Sequence, residues 1–173
     1  MIKLIATDID GTLVKDGTLI IDPEYMTVIS KLIDKGIIFT VCSGRQFSSE
    51  QKLFAPIKDK LMYITDGGTV VRTPDRILKT YPMSNELWKD MCRMVRDELP
   101  ACDYFAASPD LCYAEDGASP IFHRLRDSYG FEMREIDDLT KLENDDIIKF
   151  TVYHPDSCEE LCSPHFIPAW KDK

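Results

Sequence analysis

Leu4-Ile5-Ala6-Thr7-Asp8-Ile9-Asp10-Gly11-Thr12 is the stretch on which the reading of this chain turns. Residues 2 to 7 have the apolar content of a buried strand. Asp8 and Asp10 stand two residues apart where that strand ends, and residues i and i+2 of a strand point to one side. Two bare carboxylates aimed at one spot repel, and each is driven towards protonation unless a cation joins them. A hard, oxygen-ligated divalent ion such as Mg²⁺ suits the pair. Gly11 permits a tight turn after the strand, and Thr12 adds a hydroxyl and a nearby N–H. A carboxylate nucleophile, a second acid, a metal and an anion cradle make up the parts needed for phosphoryl transfer through an aspartyl-phosphate. Asp-x-Asp-Gly also occurs in calcium loops and plain turns. A calcium loop needs further ligands downstream, and Leu13, Val14 and Leu19 do not provide them.

The pattern that follows places this motif in an α/β chain. Lys15-Asp16-Gly17 reads as a turn between Leu13-Val14 and Thr18 to Ile21, predicting a small hairpin above the acids. Asp22-Pro23 opens a helix with an N-cap and a proline in its first turn, Tyr25, Ile29, Leu32 and Ile33 form its apolar stripe, and Gly36 stops it. Ile37 to Val41 is a β-branched and aromatic run of the kind buried on both faces of a sheet. Cys42-Ser43-Gly44-Arg45 and a helix from Gln46 to Phe54 come next, then a short strand from Leu61 to Thr65. Strands alternating with helices predict a parallel, Rossmann-like sheet, whose ligands bind at the carboxyl ends of the strands. Asp8, Asp10 and Ser43 all fall at such ends.

Thr69 to Thr73 and Ile77 to Tyr81 read as a hairpin closing this first region. From Ser84 the pattern changes to α+β. A helix with Leu87, Met91, Met94 and Val95 on one face is followed by strands near Asp103–Ala106 and Leu111–Ala114, a helix from about Ser119 to Tyr129, and a strand from Ile147 to His154. The boundary is expected near Pro82, with residues 1–81 forming one unit and 82–173 the other.

Composition narrows the partners. With 173 residues, 44% hydrophobic and 29% charged, the chain is long enough for one ordinary domain or one and a half small ones. A net charge of −9 argues against nucleic acid or an anionic membrane as the main partner, though not against a small phosphorylated metabolite held by local N–H groups and a metal. No apolar run approaches a bilayer-spanning length, and Met1-Ile2-Lys3-Leu4 lacks the character of a signal peptide, so cytoplasm is the expected location. The six cysteines read as reduced thiols. His154, Cys158, Cys162 and His165 match no common structural-zinc spacing well, and packing cysteines with surface histidines are the better reading.

Ser43-Gly44-Arg45 is the companion of the first motif. A hydroxyl and N–H groups where a strand passes into a helix can hold a phosphoryl oxygen, and Arg45 can reach the substrate or pair with an acid. With Ile5 to Leu13, Thr40 to Arg45 and Ile64-Thr65-Asp66-Gly67-Gly68 together, the chain resembles the haloacid dehalogenase-like hydrolases, in particular the Cof-type phosphatases. The resemblance implies a Rossmann-like core followed by an α+β cap. It implies Asp8 as nucleophile and metal ligand, Asp10 as general acid and base with its carbonyl on Mg²⁺, and Gly11, Thr12, Ser43 and Gly44 around the phosphoryl group. An Mg²⁺-dependent phosphatase of small phosphorylated metabolites such as sugar phosphates is therefore expected, with a phosphomutase as an alternative.

Two departures from the family pattern stand out. Asp66-Gly67 occupies the place where the subfamily usually has Asn-Gly, and a turn role is expected for it. The family's lysine and its later Gly-Asp-x-x-Asn-Asp-like acidic motif have no counterpart after Glu143; Asn144-Asp145-Asp146 is read as a loop. The expectation is a chain truncated within or just after the cap, ending near Trp170 without the element that would bury it, and impaired in activity. Its Asp8 strand would become an exposed edge that invites homo-oligomer formation or association with another segment. A non-catalytic protein acting by ligand binding or subunit association is the reading from a different class.

Overall fold

The first strand, β1 (Leu4–Asp8), lies parallel to β2 (Ile38–Cys42), with Leu4 opposite Ile38 and Asp8 opposite Cys42. The structure, a computed structural model, describes residues 1–15, 20–143 and 146–171. β3 (Met62–Thr65) continues the parallel set, and β4 (Val70–Arg72) and β5 (Ile77–Thr80) add an antiparallel hairpin, giving the order β1-β2-β3-β4-β5. The parallel α/β arrangement expected from the alternating pattern is present. Residues 16–19, which hold part of the expected turn and second strand of the hairpin above the acids, lie outside the described residues.

Between the strands run α1 (Pro23–Asp34) and α2 (Phe47–Leu53). Asp22 caps α1 by accepting from the Glu24 N–H at 2.8 Å, and Gly36 leaves the helix at φ +79°, a left-handed turn that glycine adopts without a Cβ clash. The apolar stripe of α1 differs from expectation at one place. Met26, Ile29, Leu32 and Ile33 pack on the core, whereas Tyr25 is 44% exposed. Ile9, Phe39, Val41, Phe54, Leu61 and Tyr63 fill the space between helices and sheet. β2 is buried at Phe39, Thr40 and Val41, but Ile38, expected to be covered on both faces, is 48% exposed beside Leu4. Among the described residues β1 has β2 as its one neighbour, so it stands as the edge strand anticipated above.

A second sheet has the order β8-β7-β6-β9, formed by β6 (Asp103–Ala107), β7 (Cys112–Ala114), β8 (Met133–Glu135) and β9 (Lys149–Tyr153). α3 (Asn85–Glu98), N-capped by Ser84, buries Trp88, Cys92 and Val95. These follow helical spacing i, i+4, i+7, one residue round from the expected stripe. The helix expected over Ser119–Tyr129 is α4 (Pro120–His123) running into a π-helical turn, Arg124–Ser128. α5 (Cys158–Leu161) and α6 (Ser163–Trp170) follow β9.

The two sheets are joined at the end of the first where the motifs lie. Gln46 exchanges hydrogen bonds with the Glu132 backbone, accepting from its N–H at 2.7 Å and donating to its carbonyl at 3.3 Å. Ser48 and Lys52 both donate to the Gly130 carbonyl. Arg72, buried, forms an ion pair with Asp110 at 2.5 Å and stacks over Phe47.

Candidate active site

Register brings Asp8 and Ser43 to neighbouring strand ends. Asp8 is the last residue of β1 and pairs with Cys42, the last of β2, so Ser43 leaves the neighbouring strand beside the carboxylate. Beyond Asp8 the chain folds over itself: Thr12, Leu13 and Val14 N–H groups all donate to the Ile9 carbonyl, and Gly11, at φ +77°, donates to Val14. Ile9 is fully buried and anchors this turn from below. Asp8 is exposed and accepts a 3.2 Å hydrogen bond from the Thr12 hydroxyl.

Asp10 is held by the second motif. Its two carboxylate oxygens accept from Arg45 Nε at 2.9 Å and Nη2 at 2.6 Å, a bidentate fork. Arg45 is buried, and its guanidinium also lies 5.4 Å from the Tyr129 ring centre. Of the two roles open to Arg45, pairing with an acid is the contact seen. It also lines a cavity of about 370 Å³ with Ser49, Lys52 and Tyr129, beside α2 and the π-helical turn. The Asp8 carboxylate and the Asp10 carbonyl are oxygen donors of the kind a hard divalent cation accepts. Among the described residues no group of three acidic, histidine or cysteine side chains gathers at a point that could hold a metal ion. His154, Cys158, Cys162 and His165 form no such group either: His165 faces Glu98 and Cys162 lies 3.4 Å from Cys102.

The loop Ser43-Gly44-Arg45 is closely tied. Arg45 N–H donates to Ser43 Oγ at 3.1 Å, Gly67 N–H to the Ser43 carbonyl at 3.0 Å and Asp66 N–H to the Arg45 carbonyl at 2.9 Å. Asp66 sits in the turn after β3 at φ +53°, a left-handed conformation in which a non-glycine residue is strained and Asn is the easier fit. It is a turn residue, as expected, and it is also almost wholly buried. Burial pushes its carboxyl up to about 6, against the pull of Lys149, the Thr65 hydroxyl and Arg72.

Two neighbours of the site were not singled out from sequence. Glu50, in the first turn of α2, is fully buried near it, and its carboxyl is pushed up to about 10 by burial first and the Asp66 charge second. Lys149, from β9, donates to the Gly44 carbonyl at 2.7 Å and lies 3.8 Å from Asp66. The helical phase of α2 hinted that Glu50 points inwards with Phe47 and Phe54. Nothing local marks Lys149, whose contacts are made across 105 residues of sequence.

The sequence profile of the haloacid dehalogenase-like hydrolases matches residues 5–170. The chain belongs to this family. Among similar hydrolases, the 5-amino-6-(5-phospho-D-ribitylamino)uracil phosphatase YbjI of Escherichia coli (strain K12) is 26% identical over 147 residues, which cover 83% of this chain and 52% of that protein. The phosphatase YwtE of Bacillus subtilis (strain 168), described by the same activity, is 32% identical over 87 residues, 50% of this chain and 30% of that one. A crystal structure from Eubacterium rectale superimposes with a TM-score of 0.87 at 81% identity, over 99% of this chain and 65% of that chain. The chain thus spans about half the length of YbjI and less of YwtE. No helix among the described residues is long and apolar enough to cross a membrane.

Proposed function

We propose that this chain carries the nucleophile-bearing part of an Mg²⁺-dependent phosphatase of small phosphorylated metabolites, with residues 1–81 as the core portion and 82–173 as the cap. The observation that carries the reading is the register of β1 on β2, which sets the exposed Asp8 carboxylate beside the Ser43-Gly44 loop while Arg45 of that loop grips Asp10. In this reading Asp8 Oδ attacks phosphorus and becomes an aspartyl-phosphate as the P–O bond to the leaving group breaks, and Asp10, entering the step protonated on an oxygen released from the Arg45 fork, gives that proton to the departing alkoxide oxygen. Asp10 then takes a proton from the water that opens the intermediate and restores Asp8. Thr12 orients Asp8 through its hydroxyl, Arg45 orients Asp10, and Gly11, Thr12, Ser43 and Gly44 line the phosphoryl pocket. A bound Mg²⁺, held by the Asp8 carboxylate and the Asp10 carbonyl, would offset the charge of nucleophile and phosphate. The ribityl phosphate named for YbjI and YwtE is a small alkyl phosphate monoester, in keeping with this substrate class. The location proposed is the cytoplasm, in line with six unpaired cysteines.

A second reading, phosphate binding without turnover, is favoured by the absence, among the described residues, of a third acidic side chain gathered with Asp8 and Asp10. Phosphate release from a generic aryl phosphate, with and without Mg²⁺, separates the two. Activity that needs Mg²⁺ and falls to background in Asp8→Asn supports the phosphatase; equal rates for wild type and Asp8→Asn overturn Asp8 as the nucleophile. Orthophosphate binding without any release supports the second reading.

A further inference from the structure

Three consecutive carbonyls, those of Ser43, Gly44 and Arg45, are each held by a different donor. Gly67 N–H takes the first and Asp66 N–H the third, both from the turn after β3 in the same sheet. The middle one, Gly44, is taken by the Lys149 ammonium at 2.7 Å, and Lys149 belongs to β9 in the other sheet. The ammonium is 31% exposed and is paired on its inner side with Asp66, 3.8 Å away and 2% exposed.

The middle position is the one whose hold matters most. Glycine carries the widest backbone freedom of any residue, and nothing steric requires glycine at 44: an added Cβ would meet no atom within 4 Å. Its peptide unit is held inside the loop at the Arg45 N–H, and Lys149 holds it on the carbonyl side. Because the peptide unit is planar and trans, fixing the Gly44 carbonyl also fixes the Arg45 N–H on its opposite side. That N–H donates to Ser43 Oγ at 3.1 Å, so the grip of Lys149 extends to the direction of the Ser43 hydroxyl. The charge adds to the geometry: an ammonium against the loop raises the local potential where a phosphate dianion would arrive.

We propose that Lys149 is a positioning residue through which the second sheet sets the conformation of the Ser43-Gly44-Arg45 loop for an incoming phosphoryl group. This rests on the reading of that loop as the phosphate cradle.

The test compares wild type with Lys149→Met, which keeps the length and loses the charge and donors, and Lys149→Arg, which keeps both. Orthophosphate affinity in Mg²⁺ is measured by calorimetry, hydrogen exchange is followed at the Arg45, Asp66 and Gly67 amides, and urea unfolding reports folding. Lys149→Met is expected to weaken orthophosphate binding about tenfold, the loss of roughly one charge-assisted hydrogen bond. It should also speed exchange at the three amides more than at amides elsewhere in the first sheet, while the urea midpoint falls because Asp66 loses its ion-pair partner, and Lys149→Arg should recover most of these effects. Unchanged affinity and unchanged exchange in Lys149→Met overturn the proposal, as does a Lys149→Arg variant as impaired as Lys149→Met. If wild type binds no orthophosphate, the cradle reading fails. Exchange then still decides whether Lys149 holds the loop, faster exchange in Lys149→Met upholding it and unchanged exchange overturning it.

Discussion

Glu50 is the most unusual side chain in the molecule. It is fully buried, and neither of its carboxylate oxygens has a hydrogen-bond partner among the described residues. An ionised carboxylate in that position would meet the cost of desolvation without a hydrogen bond among the described residues to offset it. Burial, aided by the charges of Asp66 and Asp10 and opposed by Arg45, raises the carboxyl to about 10, so Glu50 is a neutral acid at physiological pH. An acid whose folded pKa lies above its unfolded one adds stability that is fully present below the unfolded value, 4.5, and is lost as pH rises towards 10. Glu50→Gln removes that loss, since an amide has no proton to give up. Thermal unfolding should therefore find Glu50→Gln more stable than wild type at pH 8, with the gap closing as pH falls towards 4.5. A gap that stays constant across this range would show that Glu50 ionises freely in the folded protein. Asp66, raised to about 6, shifts stability in the same direction over a narrower and lower window.

The elements that frame the site owe their positions to unequal amounts of buried surface. α3 shows how this works. From sequence its strongest apolar positions are Leu87, Met91, Met94 and Val95, yet the face it buries is Trp88, Cys92 and Val95. Trp88 decides the phase because a large aromatic buries more area than any other side chain on the helix, and its indole N–H still finds Asn85 Oδ1 at 3.0 Å. Trp88 packs with Ala106, Tyr113, Leu139 and Ile147, joining the helix to the sheet that carries Lys149. Trp88→Ala is expected to cost roughly 3–5 kcal/mol, read from urea unfolding. An effect below about 1 kcal/mol, the range of ordinary surface changes, would show that this helix is not packed as described. The π-helical turn at Arg124–Ser128 and the three-residue β8 had no counterpart in the periodic pattern. A turn of that kind has no sequence period, and a strand so short gives no alternation to read.

For the molecule as a whole, the open edge is the dominant feature. β1 carries the nucleophile candidate and has a neighbour on one side among the described residues, with Ile2, Leu4 and Ile38 exposed at 67%, 52% and 48%. An edge with unpaired backbone groups and apolar side chains is a template for further strand pairing. Sedimentation velocity over a range of concentrations should show this chain associating, and Leu4→Lys should shift it towards the monomer without loss of helical signal. A chain that remains monomeric at every concentration would show that the edge is silent in solution. The other side of the molecule is closed: Gln46, Ser48, Lys52 and Arg72 all engage the second sheet or its loops, so the two sheets meet where the motifs lie.

Local chemistry was enough to read the first motif, the helix start at Asp22-Pro23, the parallel order of the first three strands and the family. Each of these depends on neighbours in sequence: turn residues, caps, strand periodicity and a motif of five residues. Burial phase and distant partners were not legible in the same way. Tyr25 and Ile38 look like core residues and are half exposed, because exposure depends on which surfaces other elements cover. Arg45 had two roles open to it, and its contact with Asp10 became visible once the loop beyond β1 and the end of β2 were placed side by side. Glu50 and Lys149 are ordinary charged residues along the chain. Folding buries one without a hydrogen-bond partner among the described residues and carries the other across 105 residues to a carbonyl, a contact that no local pattern encodes.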